Sequence, residues 1–165
     1  MVIFNAIPAG LKDLFDDPRK DAKYCDLASF KKMQAYTVGF NRSAYGRPCV
    51  LRKIGGNVPD EWGEVNYPTL QWHEMDRITT MQSAAEPIKE TEKGQFHHFL
   101  LVKNDNRITF TVNGVLVHDY EDNLEYPYCD RVLKNGHIAF RNFGGPAVDV
   151  YKNFIIREQP KEPTS

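Results

Sequence analysis

The sequence predicts an all-β protein, an antiparallel β-sandwich of the jelly-roll type. Short runs rich in β-branched and aromatic residues recur along the second half of the chain, and turn residues separate them. The dipeptide Asn113-Gly114 lies between two such runs and is typical of a two-residue hairpin turn, because both positions tolerate positive φ. No long segment with a helical period interrupts this pattern. Together these features predict about nine or ten short strands packed as two sheets.

The length, charge and hydropathy of the chain limit its organisation and its partners. The chain has 165 residues, so we expect one sandwich domain over 1–158 and a polar, disordered tail over 159–165. The net charge is -1, and a nucleic-acid partner is not expected because duplex binders need an excess of Lys and Arg. No apolar run approaches the roughly 20 residues that cross a bilayer, and no signal-peptide pattern opens the chain. We therefore expect no membrane association and a cytoplasmic location.

Local composition justifies the individual strands. In the first half of the chain, proline and glycine bound the apolar runs. Residues 9–20 are expected to form a loop with at most one helical turn, and residues 27–33 a short helix or part of a long loop. In the second half, polar turns separate the runs, and Gly144-Gly145-Pro146 separates the last two. The predicted strands span 1–7, 34–42, 48–56, 69–75, 77–84, 95–104, 107–112, 115–122, 136–143 and 147–158.

One apolar run near the C-terminus contains an arginine. Alternation along the strand places Ile138 and Phe140 on one face, and His137, Ala139 and Arg141 on the other. The first face has the character of a core. The second face is typical of a polar groove, since a guanidinium binds a carboxylate through two parallel hydrogen bonds. A solvated surface arginine, or one paired with an acidic neighbour, is the alternative.

Several segments resemble the YesU-like proteins, a concanavalin A-like sandwich family found among bacterial genes for pectin and polyuronide use. The resemblance implies a concanavalin A-like fold and a carbohydrate-related role. It matches the family motif NLRK to residues 50–53 and the family motif GFRQ to residues 139–142. The similar segments are VLRKIGG at 50–56, FTVNGVLVHDYED at 110–122, GHIAFRNF at 136–143 and VDVYKNFIIRE at 148–158.

The chain also departs from that family. Tyr36 stands where the family has a histidine, and Val50 replaces the asparagine of NLRK. Residues 56–75 look like an insertion. Met1 aligns with a strand from the middle of the family domain, so we expect the family's first strands to be missing, through a truncated reading frame or the loss of a sheet edge. A sandwich without those strands exposes unpaired strand edges.

Cationic and polar side chains from separate strands predict a groove for an anionic oligosaccharide that contains uronates. Such a groove needs cations for the carboxylate, hydrogen-bonding groups, and aromatic rings for the sugar faces. Alternation places Arg52 and Lys53 on opposite faces, so only a twist or a bulge would bring both into one groove. The predicted substrate-binding residues are Asn41, Arg42, Arg52, Lys53, Gln71, Trp72 and His137.

The same residues predict a β-elimination, which is the reaction of a lyase or a dehydratase. The proton on C5 of a uronate becomes acidic when its carboxylate is neutralised. A base then removes this proton while an acid protonates the leaving oxygen. The candidate groups are Arg141 and Gln71 for the carboxylate, His73 for the base, and Tyr36 for the acid, with Tyr45 and Tyr67 as alternative phenols.

Two non-enzymatic interpretations stay open, a lectin-like carbohydrate-binding module with the same groove and a structural jelly roll that binds a protein. Hydrolysis by paired carboxylates is disfavoured, because no strand carries two acids at alternate positions as concanavalin-like glucanases do. No HExxH or CxxC motif is present, and we expect no metal site. Calcium is the one cofactor left open, although no acidic loop favours it. The oligomeric state is also left open.

Overall fold

The computed structural model confirms the all-β prediction. It describes residues 2–8, 33–39, 49–54, 80–85, 87–88, 94–123, 131–140 and 150–158. Within this part of the chain there is no helix, and so none with the length and apolar character needed to cross a membrane. The strands are β1 (Val2–Pro8), β2 (Met33–Gly39), β3 (Cys49–Ile54), β4 (Thr80–Ala84), β5 (Phe99–Asn104), β6 (Arg107–Val112), β7 (Val115–Glu121) and β8 (His137–Phe140).

These strands form two antiparallel sheets. The five-stranded sheet has the order β4-β3-β2-β1-β8, and the three-stranded sheet has the order β5-β6-β7. A bulge interrupts the pairing of β1 with both of its neighbours, and Asn5 lies there with a φ of 50°. Gly136 packs against this bulge, since a Cβ at its position would lie 2.5 Å from the backbone carbon of Asn5. The bulge therefore requires glycine immediately before β8.

The main core lies between the sheets. Alternation along each strand turns one row of apolar side chains inward, and β2, β3 and β6 supply most of that row. Burying each large apolar side chain contributes about 1.5–3 kcal/mol, so this layer is the main favourable term for folding. Its buried members are Phe4, Tyr36, Val38, Cys49, Leu51, Ile88, Ile108, Phe110, Val112 and Leu133.

The hairpin turn predicted from Asn113-Gly114 is confirmed. The two residues have φ values of 51° and 80°, as a type I′ turn requires. The Asn113 side chain also fixes the start of the sheet, because its Oδ1 accepts a hydrogen bond from the backbone N–H of His98 at 2.9 Å. The polar turn predicted between β5 and β6 is present as well, with Asp105 at a φ of 48°.

The prediction of a last strand over 147–158 is wrong for the residues that the structure describes. Residues 150–158 form no strand, and β8 pairs with β1 instead of with this segment. The sequence pattern of β-branched and aromatic residues is present, but such a pattern becomes a strand only where a neighbouring backbone completes the hydrogen-bond ladder. The strand predicted over 69–75 and the tail predicted over 159–165 lie outside the described residues.

Strands β4 and β7 bring the two sheets together along one side of the sandwich. Gln82 on β4 accepts a hydrogen bond through Oε1 from Nδ1 of His118, at 3.1 Å, and its Nε2 lies 3.5 Å from the carbonyl oxygen of Asp119. His118 is fully buried against Phe110. Its Nε2 has no hydrogen-bond partner among the described residues, and burial lowers the pKa of His118 below its usual 6.5.

A buried ion pair joins the interior of the two sheets. Nζ of Lys53, on the inner face of β3, lies 2.7 Å from Oδ2 of Asp122, which directly follows β7. The hydroxyl of Tyr36 on β2 donates to the same oxygen at 2.6 Å and accepts a hydrogen bond from the N–H of Leu133 at 3.1 Å. These three polar side chains are at most 1% exposed. We call Tyr36, Lys53 and Asp122 the interior clamp.

The interior clamp makes Asp122 a strong determinant of stability. Asp122→Ala leaves the Lys53 ammonium buried without its counter-ion, and we expect a loss of about 3–5 kcal/mol in the free energy of unfolding. The double variant Lys53→Met with Asp122→Leu removes both charges, so it should recover most of that loss. Urea denaturation followed by circular dichroism measures both values.

The matched control is Asp119→Ala, which removes the exposed ion pair between Asp119 and Arg107. This pair lies in water, so we expect a much smaller change in unfolding free energy than for Asp122→Ala. Equal losses for the two variants, or a double variant as unstable as Asp122→Ala, would contradict the role of the clamp.

His118 makes stability depend on pH. Because the folded state lowers its pKa, the unfolded state binds the proton first as the pH falls. The free energy of unfolding should therefore be fully retained above about pH 6.5 and decrease as the pH falls from there toward the lowered pKa, by at most about 1.4 kcal/mol per pH unit. His118→Leu should remove this component, whereas His98→Gln, a change at an exposed histidine, should keep it. An unchanged pH dependence in His118→Leu would contradict the prediction.

Candidate functional site

The structure describes the predicted site residues Tyr36, Arg52, Lys53 and His137. The other predicted positions lie outside the described residues, so their roles stay predictions. They are Asn41, Arg42, Gln71, Trp72, His73 and Arg141.

The described candidates divide between the two faces of the five-stranded sheet. Tyr36 pairs with Lys53 across β2 and β3, and their side chains point inward. Thr37 pairs with Arg52 in the next position, and their side chains take the outer face. The opposite orientations predicted for Arg52 and Lys53 are confirmed. No bulge separates the paired residues of β2 and β3, so these candidates do not form one cleft.

Tyr36 and Lys53 belong to the interior. Both side chains bind Asp122, and Phe4 stacks on the Tyr36 ring with centroids 5.4 Å apart. Close to the same ring, Nζ of Lys103 lies 5.4 Å from the Tyr36 centroid and donates to the carbonyl oxygen of Asp105. Burial lowers the pKa of Lys103, although nearby aspartates oppose this effect. In this arrangement Tyr36 and Lys53 contribute to the link between the sheets.

His137 lies on the outer face together with Arg52. It pairs with Ala6, whose side chain packs with Ile3 and Ala35 in a small second cluster on that face. His137 is exposed, and Arg52 is partly exposed. Strands β1 and β2 separate them, which corresponds to roughly 14 Å across the sheet at about 4.8 Å per strand.

The outer face is less polar than the sequence predicts. One row across the sheet consists of Ala139, Ile3, Thr37, Arg52 and Thr80, as the strand registers require. The side chains in the centre of the face are mostly small or apolar and are buried, and the accessible ones lie toward its margins. The centre of the face is therefore buried and mostly apolar, with Arg52 toward one side and His137 toward the other.

Thr37 is the most unusual polar group of this face. Its side chain is fully buried, and its Oγ1 has no hydrogen-bond partner among the described residues. Buried hydroxyls are usually paired, so this one is an exception, and its side chain has no surface that solvent reaches. Thr37 is the cross-strand neighbour of Arg52. The two side chains thus lie next to each other on the outer side of the sheet, Thr37 buried and Arg52 partly exposed.

Sequence patterns did not identify Thr37 or Asp122. Thr37 lies in an apolar strand where threonine is common, and nothing in the sequence shows that its hydroxyl is unpaired. A lysine inside the apolar run of β3 signals the need for an acidic partner. The chain has 22 acidic residues, however, and the partner lies 69 positions away.

Among the described residues, no group of three or more His, Cys, Asp or Glu side chains is placed to hold a metal ion. Within the described ranges, few ionisable groups lie near the outer face. Arg52 and His137 are the charged or titratable candidates that the structure places there. The chemistry that this face supports is therefore hydrogen bonding and charge stabilisation of a ligand.

Comparison with known proteins assigns the chain to a family. Residues 27–157 match the model of the 3-keto-alpha-glucoside-1,2-lyase-like domain, whose fold is of the concanavalin-like glucanase type. Searches of curated proteins and of solved structures found no match. The narrower resemblance to YesU-like proteins stays a prediction, while the broader carbohydrate-active assignment agrees with the family match. Since the match covers most of the chain, this protein belongs to the family of 3-keto-alpha-glucoside-1,2-lyase-like domains.

Proposed function

We propose that this protein is a carbohydrate lyase that cleaves a keto-glycoside by β-elimination on the outer face of the five-stranded sheet. The description of the matched family supports the reaction class. The position of Arg52 is the structural observation that carries the proposal, because its partly exposed side chain brings a hydrogen-bond donor to the outer face of the sheet. The anionic, uronate-containing substrate expected from the sequence follows the same chemical logic and is the alternative substrate class.

The reaction needs no co-reactant. In a 3-keto-glucoside the carbonyl at C3 makes the proton on C2 acidic. A base removes that proton, a double bond forms between C1 and C2, and the bond from C1 to the glycosidic oxygen breaks. The leaving oxygen takes a proton and departs as an alcohol, and the sugar is left as a conjugated enone. In a uronate the C6 carboxylate, the C5 proton and the C4 oxygen play the corresponding parts.

The negative charge that develops on the carbonyl oxygen is the main target for catalysis. Donors that are fixed before the reaction stabilise such charge more strongly than mobile water does. Arg52 is held by the ladder of β3 with β2 and β4, and Thr37 is held opposite it. We assign the carbonyl oxygen to Arg52 and a more distant part of the saccharide to His137. His73 as the base stays a prediction from the sequence.

A lectin-like module is the second candidate function. The margins of the outer face favour it, because the partly exposed Arg52 and the exposed His137 can hydrogen-bond to a saccharide without any reaction. Both candidates use the same face. They differ in one observable, since only the lyase converts its ligand to a conjugated product.

Arg52→Gln tests the assignment of the reacting face. We expect kcat/KM for elimination of a 3-keto-glucoside to fall about 100-fold, because one donor to the developing oxyanion is lost. Arg52→Lys keeps the charge but not the planar fork, so its activity should lie between that of Arg52→Gln and that of the unchanged protein. Appearance of the enone in the ultraviolet spectrum follows the reaction, and oligogalacturonides serve as the uronate substrate.

The matched control is Arg107→Gln, which changes an exposed arginine on the three-stranded sheet. Its kcat/KM should equal that of the unchanged protein. Ligand binding without any enone, measured by calorimetry, would replace the lyase with the lectin-like module. An Arg52→Gln variant with full activity and an unchanged unfolding free energy would place the reaction elsewhere.

A further inference from the structure

Each of the two strands that join the sheets carries a β-bulge at the place where they meet. β4 and β7 are the outermost described strands of their sheets, and their backbones run close together over a longer stretch than any other described pair from opposite sheets. The pairing of β4 with β3 skips Met81, and the pairing of β7 with β6 skips Val117. Gln82 and His118, which directly follow these bulges, form what we call the β4–β7 contact. Because a bulge interrupts the hydrogen-bond ladder, backbone pairing is weakened on both sides of this contact.

The β4–β7 contact is built for a neutral histidine. Nδ1 of His118 donates to Oε1 of Gln82 at 3.1 Å, so Nε2 is the nitrogen without a proton in the neutral ring. Nε2 is buried and has no hydrogen-bond partner among the described residues, and the ring lies 6.3 Å from that of Phe110. A proton at Nε2 would create a donor without an acceptor and a buried charge.

The ionisable side chains around His118 supply no counter-ion for its protonated form. Within the described strands, β4 and β6 direct no ionisable side chain inward. The inward ones are Cys49 and Lys53 on β3, Tyr120 on β7, and Asp122 directly after β7. The carboxylate of Asp122 is already paired with Lys53. That of Asp119 is exposed and paired with Arg107. Burial is accordingly what lowers the pKa of His118.

We propose that the β4–β7 contact is an acid-sensitive switch: when His118 is protonated its ring leaves the interior, and β4 separates from β7 while the other strands stay paired. In the open form the ring is in water, where a histidine titrates near pH 6.5. Each pH unit below that value therefore favours the open form by up to about tenfold, until the lowered pKa of the closed form is reached. The opening is local because β4 is a five-residue strand with one described neighbour in its sheet.

The switch lies beside the residue assigned to the reacting carbonyl. Thr80 of β4 is the cross-strand partner of Arg52, next to the bulge at Met81. Opening of β4 therefore removes one of the two strands that support Arg52, and the elimination should slow in acid. This consequence rests on the proposed function. The opening itself does not, since it is measured without a substrate.

Amide hydrogen exchange of the full chain, resolved by NMR at pH 7.5 and pH 5.0, tests the switch. Protection factors remove the intrinsic effect of pH on exchange. For the amides of β4 and of the β7 bulge, they should fall by about tenfold between the two conditions. They should also be insensitive to low concentrations of urea, because a local opening exposes little surface. Amides of β1 and β2 should exchange through global unfolding and depend on urea at both pH values.

His118→Leu and His118→Gln both remove the titrating group, one with an apolar and one with a polar side chain. In each variant the protection of β4 should no longer change between pH 7.5 and pH 5.0, whatever its absolute value. The matched control is His98→Gln, a change at an exposed histidine, which should keep the acid response. The same urea dependence for β4, β7 and β2 would show that β4 and β7 separate only in global unfolding, which would overturn the proposal. An acid response that persists in both His118 variants would overturn it as well.

Discussion

The carboxylate of Asp122 is the group on which the relation between the two sheets depends. It follows the last strand of the three-stranded sheet and receives hydrogen bonds from Lys53 and Tyr36 of the five-stranded sheet. Apolar side chains fill the remaining interior, but their contacts tolerate sliding, whereas a buried charge needs its counter-ion at one distance. The ion pair is thus a specific constraint on how the sheets face each other, and its contribution to net stability is a separate matter.

This interior constraint also bears on the outer face. Tyr36 and Lys53 are cross-strand neighbours, and the adjacent pair on the same two strands is Thr37 with Arg52. Because successive side chains alternate, the residues that bind Asp122 inside determine where the next two side chains stand outside. A shift of β2 against β3 by one residue would bury Arg52 and expose Lys53. The polar interior and the candidate site are therefore two consequences of one register.

Local patterns predicted the features that depend on local physics. The turn at Asn113-Gly114, the strands around it and the opposite orientations of Arg52 and Lys53 all follow from φ preferences and side-chain alternation. The sequence did not reveal that Lys53 is buried, because its counter-ion comes from a distant part of the chain. The sequence likewise did not reveal the surroundings of Tyr36. Its phenol has the chemistry of a catalytic acid, but the side chain is buried in the core.

The incorrect prediction of a strand over 147–158 also shows that local patterns do not reveal which distant backbone, if any, pairs with a segment. Residues Val150, Phe154, Ile155 and Ile156 have strong strand propensity, yet the structure leaves the described part of this segment outside both sheets. Strand propensity reflects how well a side chain fits a pleated and partly covered surface. A segment with high strand propensity therefore forms a strand only when another backbone pairs with it. β8 cannot pair with this segment along the edge where it already pairs with β1. A strand-like composition without a neighbouring backbone therefore does not produce a strand, and residues 150–158 lie outside both sheets.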